Sequence, residues 1–120
     1  MDANRDDLEA AGRAFPVLPI VVDGKTYYVR TFTAQERAER IPEFQKLPDA
    51  ECQERFCAFA LCDAAGGRWY ADDKLGGLSG ANPVLLERIS YFARRHNRLT
   101  KQDLDDLDAD FAAARASACT

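Results

Sequence analysis

LPIVVDGKTYYVRTFTAQE, the sequence of residues 18–36, predicts a β-hairpin that leads directly into a capped helix. Its centre, Asp23-Gly24, is a strong signal for a two-residue turn, because a type I′ turn needs a positive φ angle at both positions. Pairing Val22 with Lys25 around this turn fixes the register of the two strands. A slip by one residue would turn every apolar side chain to the opposite face, so the register is well specified.

The predicted register gives the hairpin two unlike faces. One face is apolar and carries Leu18, Ile20, Tyr27 and Val29. The other face is mixed and carries Val17, Val21, Thr26, Tyr28 and Arg30. Pro19 has no amide hydrogen, so its strand is expected at a sheet edge with that position turned outward. Because a two-stranded ribbon is marginal alone, the hairpin should pack on the helices that follow.

Capping and breaking residues set the first of these helices. Thr33 and Glu36 form a capping box, so a helix begins after Thr33. Pro42 removes a helical hydrogen bond and crowds the preceding turn. This helix is therefore expected either to end near Ile41 or to resume with a kink over residues 44–47.

The middle of the chain predicts one buried helix and two irregular segments. A helix is expected over about residues 50–64, and its latter half, residues 56–62, is apolar on most sides, which is typical of a buried helix. Residues 68–71 are predicted to form a short extended piece. The glycine-rich residues 76–80 are predicted to form a loop.

Two more helices are expected near the end of the chain. Asn82 and Pro83 have the residue types of a helix cap and a first helical position. This helix has an apolar stripe formed by Leu85, Ile89, Phe92 and His96. Asn97 is predicted to stop it in the left-handed conformation. Thr100 then caps a last helix, whose stripe is formed by Leu104, Leu107 and Phe111.

These elements together predict an α+β fold that is mostly α, in which an N-terminal β-hairpin packs on a bundle of four or so short helices. A chain of 120 residues suits one domain. We expect the globular domain to span residues 15–116, with a flexible segment at residues 1–14 and a frayed tail at residues 117–120.

Composition disfavours several classes of function. The net charge of −4 argues against nucleic acid as a partner, because neutralisation of phosphates dominates such binding. No run approaches the roughly 20 apolar residues that a membrane-spanning helix needs. The acidic N-terminus lacks the apolar core of a secretion signal, so a cytoplasmic location is expected.

Residues with the chemistry for catalysis or metal binding do not form a known pattern. Cys52, Cys57, Cys62 and the distant Cys119 do not match the spacing of a zinc site, and His96 is the single histidine. Reduced, buried or half-buried thiols are expected instead. No nucleophile stands beside a base in a recognisable motif. We therefore expect no enzyme, no cofactor and no metal site.

Arginines and exposed aromatic residues are the candidate contacts for a partner. Four arginines lie on the helix after Asn82, and a run of aspartates follows them. These charges either form weak salt bridges within the chain or complement a protein partner or a second copy. Tyrosine and tryptophan are enriched in the hot spots of interfaces. The candidate partner-binding residues are Tyr28, Arg30, Trp69, Tyr70, Tyr91, Arg94 and Arg95.

Two short segments carry a resemblance to a known family. Val29-Arg30-Thr31-Phe32-Thr33 leads from a strand into a helix, and Asn97-Arg98-Leu99-Thr100 leads into an acidic stretch at residues 103–106. In their order and spacing, these segments resemble the tail assembly chaperones of long-tailed bacteriophages and prophages, over about residues 17–111. The chain departs from that family in Pro42, in its three mid-chain cysteines and in its alanine-rich tail.

The resemblance implies a function and a location. Chaperones of this family coat the helical tape measure protein, help to recruit tail tube proteins, act in the host bacterial cytoplasm and are absent from the finished virion. The edge of the hairpin at Pro19 and the face around Tyr28 then become candidate contact surfaces. Two alternatives remain: a head–tail connector or tail completion protein, and a small DNA-binding regulator that uses the arginines of residues 88–98. Self-association is a further possibility that the sequence leaves open.

Overall fold

A computed structural model describes residues 2–99 of the chain. Its class is α+β, as predicted: a short N-terminal helix precedes the hairpin, and the other helices follow it. The elements are α1 (Arg5–Gly12), β1 (Leu18–Val22), β2 (Lys25–Val29), α2 (Ala34–Gln45), α3 (Asp49–Ala60), β3 (Leu61–Cys62), a 3₁₀ helix (Asp72–Leu78) and α4 (Pro83–His96). The last helix predicted from Thr100, with its stripe, and the tail at residues 117–120 lie outside the described residues.

The hairpin has the predicted turn and register. Val22 lies opposite Lys25, and the pairs further from the turn follow in step from there. Asp23 and Gly24 both have positive φ angles, 52° and 76°, as the type I′ turn requires. The strand order β1-β2-β3 places β1, with Pro19, at an edge of the sheet. The edge position predicted from Pro19 is therefore confirmed.

β3 is a strand that the sequence did not predict. α3 ends at Ala60, and the next two residues leave the helix to pair with β2, Tyr28 opposite Cys62 and Val29 opposite Leu61. The amide of Arg30 continues this ladder by donating to the carbonyl of Ala60 at 3.0 Å. The prediction of a helix to residue 64 is thus wrong, because the free side of β2 needs hydrogen-bond partners.

The burial predicted for this part of the chain is confirmed. Every residue from Phe56 to Cys62 is at most 3% exposed. The 3₁₀ helix packs on α3 and buries Leu75, so part of the predicted loop at residues 76–80 is helical. An extended piece was predicted at residues 68–71. Of these residues only Arg68 pairs with another strand residue, in an isolated antiparallel β-bridge to Cys62.

α2 continues through Pro42 and ends at Gln45. The prediction that this helix ends near Ile41 is therefore wrong. The helix instead continues past the proline. The capping box is present: the amide of Glu36 donates to the Thr33 hydroxyl, and the amide of Thr33 donates to the Glu36 carboxylate. Burial of Ile41 and Phe44 on one side of α2 offsets the hydrogen bond that the proline removes.

α4 begins as predicted, with Asn82 as its cap, but it buries a different face. The buried residues are Leu86, Ile89, Ser90 and Ala93, whereas Phe92 from the predicted stripe is exposed. Small side chains at Ser90 and Ala93 let α4 approach α3 closely. The thiol of Cys57 on α3 comes within 3.2 Å of the carbonyl oxygen of Leu86.

The end of α4 also differs from the prediction. Asn97 has a φ angle of −94°, so it is not the left-handed stop. The positive φ angle, 57°, falls one residue later at Arg98. Asn97 is instead buried, and its side-chain amide forms hydrogen bonds with the backbone of Arg30 and Phe32.

The N-terminal segment is a helix that contributes nothing to the core. Asn4 caps α1 with a capping box, and no residue of α1 is buried. Flexibility of residues 1–14 stays a prediction. Over residues 2–99, the structure has no helix that is both long enough and apolar enough to cross a membrane.

Candidate protein-interaction surface

A buried amide joins the two segments that carry the family resemblance. The side-chain nitrogen of Asn97 donates to the carbonyl oxygens of Arg30 at 3.1 Å and Ala93 at 2.9 Å. Its oxygen accepts from the backbone amide of Phe32 at 2.8 Å. The end of α4 is thereby fixed to the connection between β2 and α2. The two segments, distant in sequence, form one structural unit.

Arg30 lies inside this unit and not on the surface. Its Nε donates to the carbonyl oxygen of Phe59 at 2.8 Å, and its two terminal nitrogens donate to the carboxylate of Glu36, each at 2.9 Å. Its guanidinium carbon lies 4.3 Å from the centre of the Phe59 ring. Because the residue is only 8% exposed, the predicted role of Arg30 as a partner contact is not supported.

The ion pair with Arg30 shifts the titration of Glu36. Partial burial acts to raise the pKa of Glu36, but hydrogen bonds from Arg30 and from the amide of Thr33 outweigh it and hold this pKa below its ordinary value. Glu36 is therefore a charged group that both caps α2 and anchors β2.

Apolar side chains line an open groove between β1 and α4, here called the β1–α4 groove. Its volume is about 430 Å³, and it is lined by Val21, Val22, Glu87, Arg88, Tyr91 and Phe92. Three of these are large apolar residues that remain exposed: Val21 at 70%, Tyr91 at 55% and Phe92 at 38%. The rings of Tyr91 and Phe92 meet edge to face, with 5.3 Å between their centres.

Charged residues accompany the apolar lining of this groove. Arg88 approaches Asp23 of the hairpin turn at 3.8 Å, and both side chains are exposed, so the pair contributes little to stability. Glu87 adds a negative charge beside them. An apolar surface with charges of both signs nearby is the usual composition of a protein interface.

A second opening, here called the α2–α4 cavity, lies beside the other end of α4. Its volume is about 130 Å³, and it is lined by Ile41, Phe44, Gln45, Cys52, Phe56, Arg94 and Leu99. The guanidinium carbon of Arg94 lies 5.4 Å from the centre of the Phe56 ring. The lining is apolar apart from Gln45, Arg94 and the thiol of Cys52.

The candidate residues from the sequence do not form one surface. Tyr91 lies in the β1–α4 groove, and Arg94 lies at the α2–α4 cavity. Trp69 is exposed, and its ring packs at a tilt against the ring of Tyr27, with 6.3 Å between the ring centres. The remaining candidates are the half-buried Tyr28, the half-buried Tyr70 and the exposed Arg95.

Packing explains the position of Tyr70, which lies against the 3₁₀ helix. A Cβ atom on Gly77 would come within 2.6 Å of the Tyr70 ring, so glycine permits this contact. Sequence reasoning did not single out two of the groove residues. Val21 was placed on the mixed hairpin face with Tyr28 but was not among the candidate contacts, and Phe92 was assigned to the buried stripe.

The thiols are placed for packing rather than for nucleophilic chemistry. Burial raises the pKa of the Cys57 thiol to about 12, which keeps it protonated. The Nε2 atom of His96 lies 2.9 Å from the Thr31 hydroxyl and 3.1 Å from the carbonyl oxygen of Pro16, within a surface connection. Among residues 2–99, no three His, Cys, Asp or Glu side chains come together as a possible metal site.

Comparisons of the chain with protein-family models, with curated proteins and with solved structures found no match.

Proposed function

We propose that this protein is a tail assembly chaperone that binds the tape measure protein of a long-tailed phage or prophage and helps to recruit tail tube subunits. The observation that carries this proposal is the β1–α4 groove, in which large apolar side chains are exposed on a small acidic protein. An exposed apolar surface of this kind is typical of a protein-binding site.

An exposed apolar face continues along α4 from the groove. Tyr91 lines the groove, and Val84, which is seven residues or about 10.5 Å earlier on α4, is exposed as well. A partner helix that lies along α4 would present apolar residues with the same seven-residue repeat. Val21 of β1 forms the opposite wall, and Arg88 would orient the partner by its charge.

The buried unit around Asn97 and Arg30 supports the proposal in a second way. Each of the two segments that resemble the chaperone family is ordinary capping chemistry by itself. Their contact through the Asn97 side chain links them as parts of one structural unit. A pattern whose two parts are in contact is a stronger basis for a resemblance than two separate caps.

Co-expression with the tape measure protein of the same phage tests the proposal. We expect the chaperone to raise the soluble yield of the tape measure protein and to co-purify with it. Tyr91→Asp and Val21→Asp should each abolish co-purification, because they place a charge on the apolar groove. Leu8→Asp is the matched control, since Leu8 is as exposed as Val21 but lies on α1 outside the groove.

Two outcomes would contradict the proposal. One is a wild-type protein that neither solubilises the tape measure protein nor co-purifies with it. The other is its detection by mass spectrometry in purified virions, because that result would favour the connector or tail completion protein. Binding of DNA in a salt-dependent gel shift would favour the regulator instead.

A further inference from the structure

α1 is a capped helix that buries none of its residues. Its capping box, formed by Asn4 and Asp7, satisfies the first backbone amides and specifies where the helix begins. Caps alone do not hold a short helix together, because isolated helices of fewer than about 12 residues are marginal in water and gain most of their stability from packing. α1 has eight residues, so it needs a surface to pack on.

The side chains of α1 indicate what that surface is like. Leu8 is 72% exposed, and the small Ala11 follows it on the same face of the helix. Residues 2–12 carry four carboxylates but only one cation. A surface that binds α1 should therefore be apolar at its centre and positively charged at its border.

The outward face of α4 has both properties. Val84 and Tyr91 are exposed and lie on one side of the helix, seven residues apart. Arg88 lies between them and Arg95 follows one turn after Tyr91, and both arginines are exposed. Arg88 can bind another carboxylate, because its contact with Asp23 joins two exposed side chains and is weak.

The position of α1 favours the α4 of a second copy over its own. Pro16, four residues after α1, is fixed at the C-terminal end of α4: its carbonyl oxygen lies 3.1 Å from Nε2 of His96 and accepts from the Thr31 hydroxyl. α1 is thus attached beside its own α4, yet none of its residues is buried there. A second copy presents the same exposed face to it.

We propose that α1 of one molecule packs on the outward face of α4 of a second copy. Leu8 then lies between Val84 and Tyr91, and the carboxylates of α1 lie beside Arg88 and Arg95. The inference goes beyond the proposed function, and its test needs no tape measure protein. Because Tyr91 also lines the β1–α4 groove, α1 of a second copy and a helix in that groove exclude each other, a consequence that rests on the proposed function.

The wild type should associate weakly, since one short helix makes a small contact. Sedimentation equilibrium at concentrations up to about 500 μM should give an average mass above that of the monomer, with a Kd of about 10–100 μM. Leu8→Asp should stay monomeric, because it places a charge on the apolar face of α1. This variant should still co-purify with the tape measure protein, so the inference and the proposed function can fail separately.

Charge reversal tests which two surfaces meet. Asp6→Lys/Glu9→Lys makes α1 basic, and Arg88→Glu/Arg95→Glu makes the face of α4 acidic, so each double variant should be monomeric by itself. A mixture of the two should associate, because the basic α1 of one variant meets the acidic α4 of the other, and the wild-type surfaces that remain also match. Glu39→Lys/Asp73→Lys is the matched control, since it changes the net charge equally at exposed positions of α2 and the 3₁₀ helix and should associate like the wild type.

Hydrogen exchange shows whether α1 itself is in the contact. Its amides should exchange several-fold more slowly in the wild type at about 500 μM than at about 5 μM. A wild type that stays monomeric, a mixture of the charge variants that does not associate, or α1 amides whose exchange is independent of concentration would each overturn the proposal. So would equal losses of association in the control and in Asp6→Lys/Glu9→Lys, because net charge alone would then explain the loss.

Discussion

Asn97 is buried where the end of α4 meets the connection between β2 and α2. A buried amide that uses both its oxygen and its nitrogen specifies one arrangement of its neighbours, because any shift leaves a polar group unsatisfied. Arg30 has the same function on the other side of this connection, where it bonds the carbonyl oxygen of Phe59 and the carboxylate of Glu36. These two residues determine how the sheet meets the helices.

Asn97→Ala should lower the free energy of unfolding by about 2–4 kcal/mol, because it leaves the amide of Phe32 and the carbonyl of Arg30 buried without partners. Urea unfolding measures this change. Asn82→Ala is the matched control, since it removes an exposed helix cap and should cost about 1 kcal/mol. If Asn97→Ala costs no more than the control, the hydrogen bonds of the Asn97 side chain do not contribute substantially to stability.

Titration of Glu36 should make the free energy of unfolding depend on pH in the acidic range. The pKa of Glu36 is lowered on folding, so its contribution is fully present above the ordinary pKa of 4.5, declines below that value and is lost as the pH falls through the lowered pKa of the folded state. Glu36→Gln should therefore be less stable than the wild type by about 2 kcal/mol at pH 7, and the difference should be smaller at pH 3.

Urea unfolding at the two pH values measures the difference between Glu36→Gln and the wild type. Glu39→Gln, an exposed position on the same helix, should show no such pH-dependent difference. A difference of the same size at both pH values for Glu36→Gln would contradict the assignment.

At the scale of elements, α2 carries a proline that its packing tolerates. Pro42 is exposed in the helix interior, while Phe44 is buried on the opposite side. The helix persists because the burial of its apolar side outweighs one missing hydrogen bond. Replacing the proline should therefore raise the free energy of unfolding.

Pro42→Ala should raise the free energy of unfolding by about 1–2 kcal/mol, since alanine restores the hydrogen bond but increases the entropy of the unfolded chain. Circular dichroism during urea unfolding would detect the change. Gln35→Ala, on the first turn of the same helix, should change stability by less than about 0.5 kcal/mol. A Pro42→Ala variant no more stable than wild type would mean that the helix backbone is shaped around the proline.

Sequence reasoning succeeded where the determinants were local. The turn at Asp23-Gly24 and the capping box of Thr33 and Glu36 depend on residues a few positions apart, and both were predicted correctly. β3 was missed because its two residues are strand only by pairing with β2. The β1–α4 groove was missed because Phe92 faces it only after Ser90 and Ala93 have packed α4 on α3.

At the scale of the whole molecule, α4 separates two apolar openings. Tyr91 and Phe92 line the β1–α4 groove, and Arg94 lines the α2–α4 cavity. The groove is open and holds about 430 Å³, which suits the side chains of a partner helix, whereas the cavity of about 130 Å³ suits one side chain. Of the two openings, the groove is therefore the one with room for the partner helix of the proposed function.

Pro19 also limits how well the β1 edge of the sheet can pair with a further strand. In a two-residue hairpin, backbone groups alternate between those that pair with the neighbouring strand and those that face outward; with Val22 opposite Lys25, Pro19 and Val21 face outward. Pro19 has no amide hydrogen. Of these two outward-facing residues, only Val21 can therefore donate a backbone hydrogen bond to an incoming strand. An incoming strand would find too few hydrogen bonds to extend the sheet. This edge of the sheet can thus be exposed beside the β1–α4 groove and still be a poor template for a further strand.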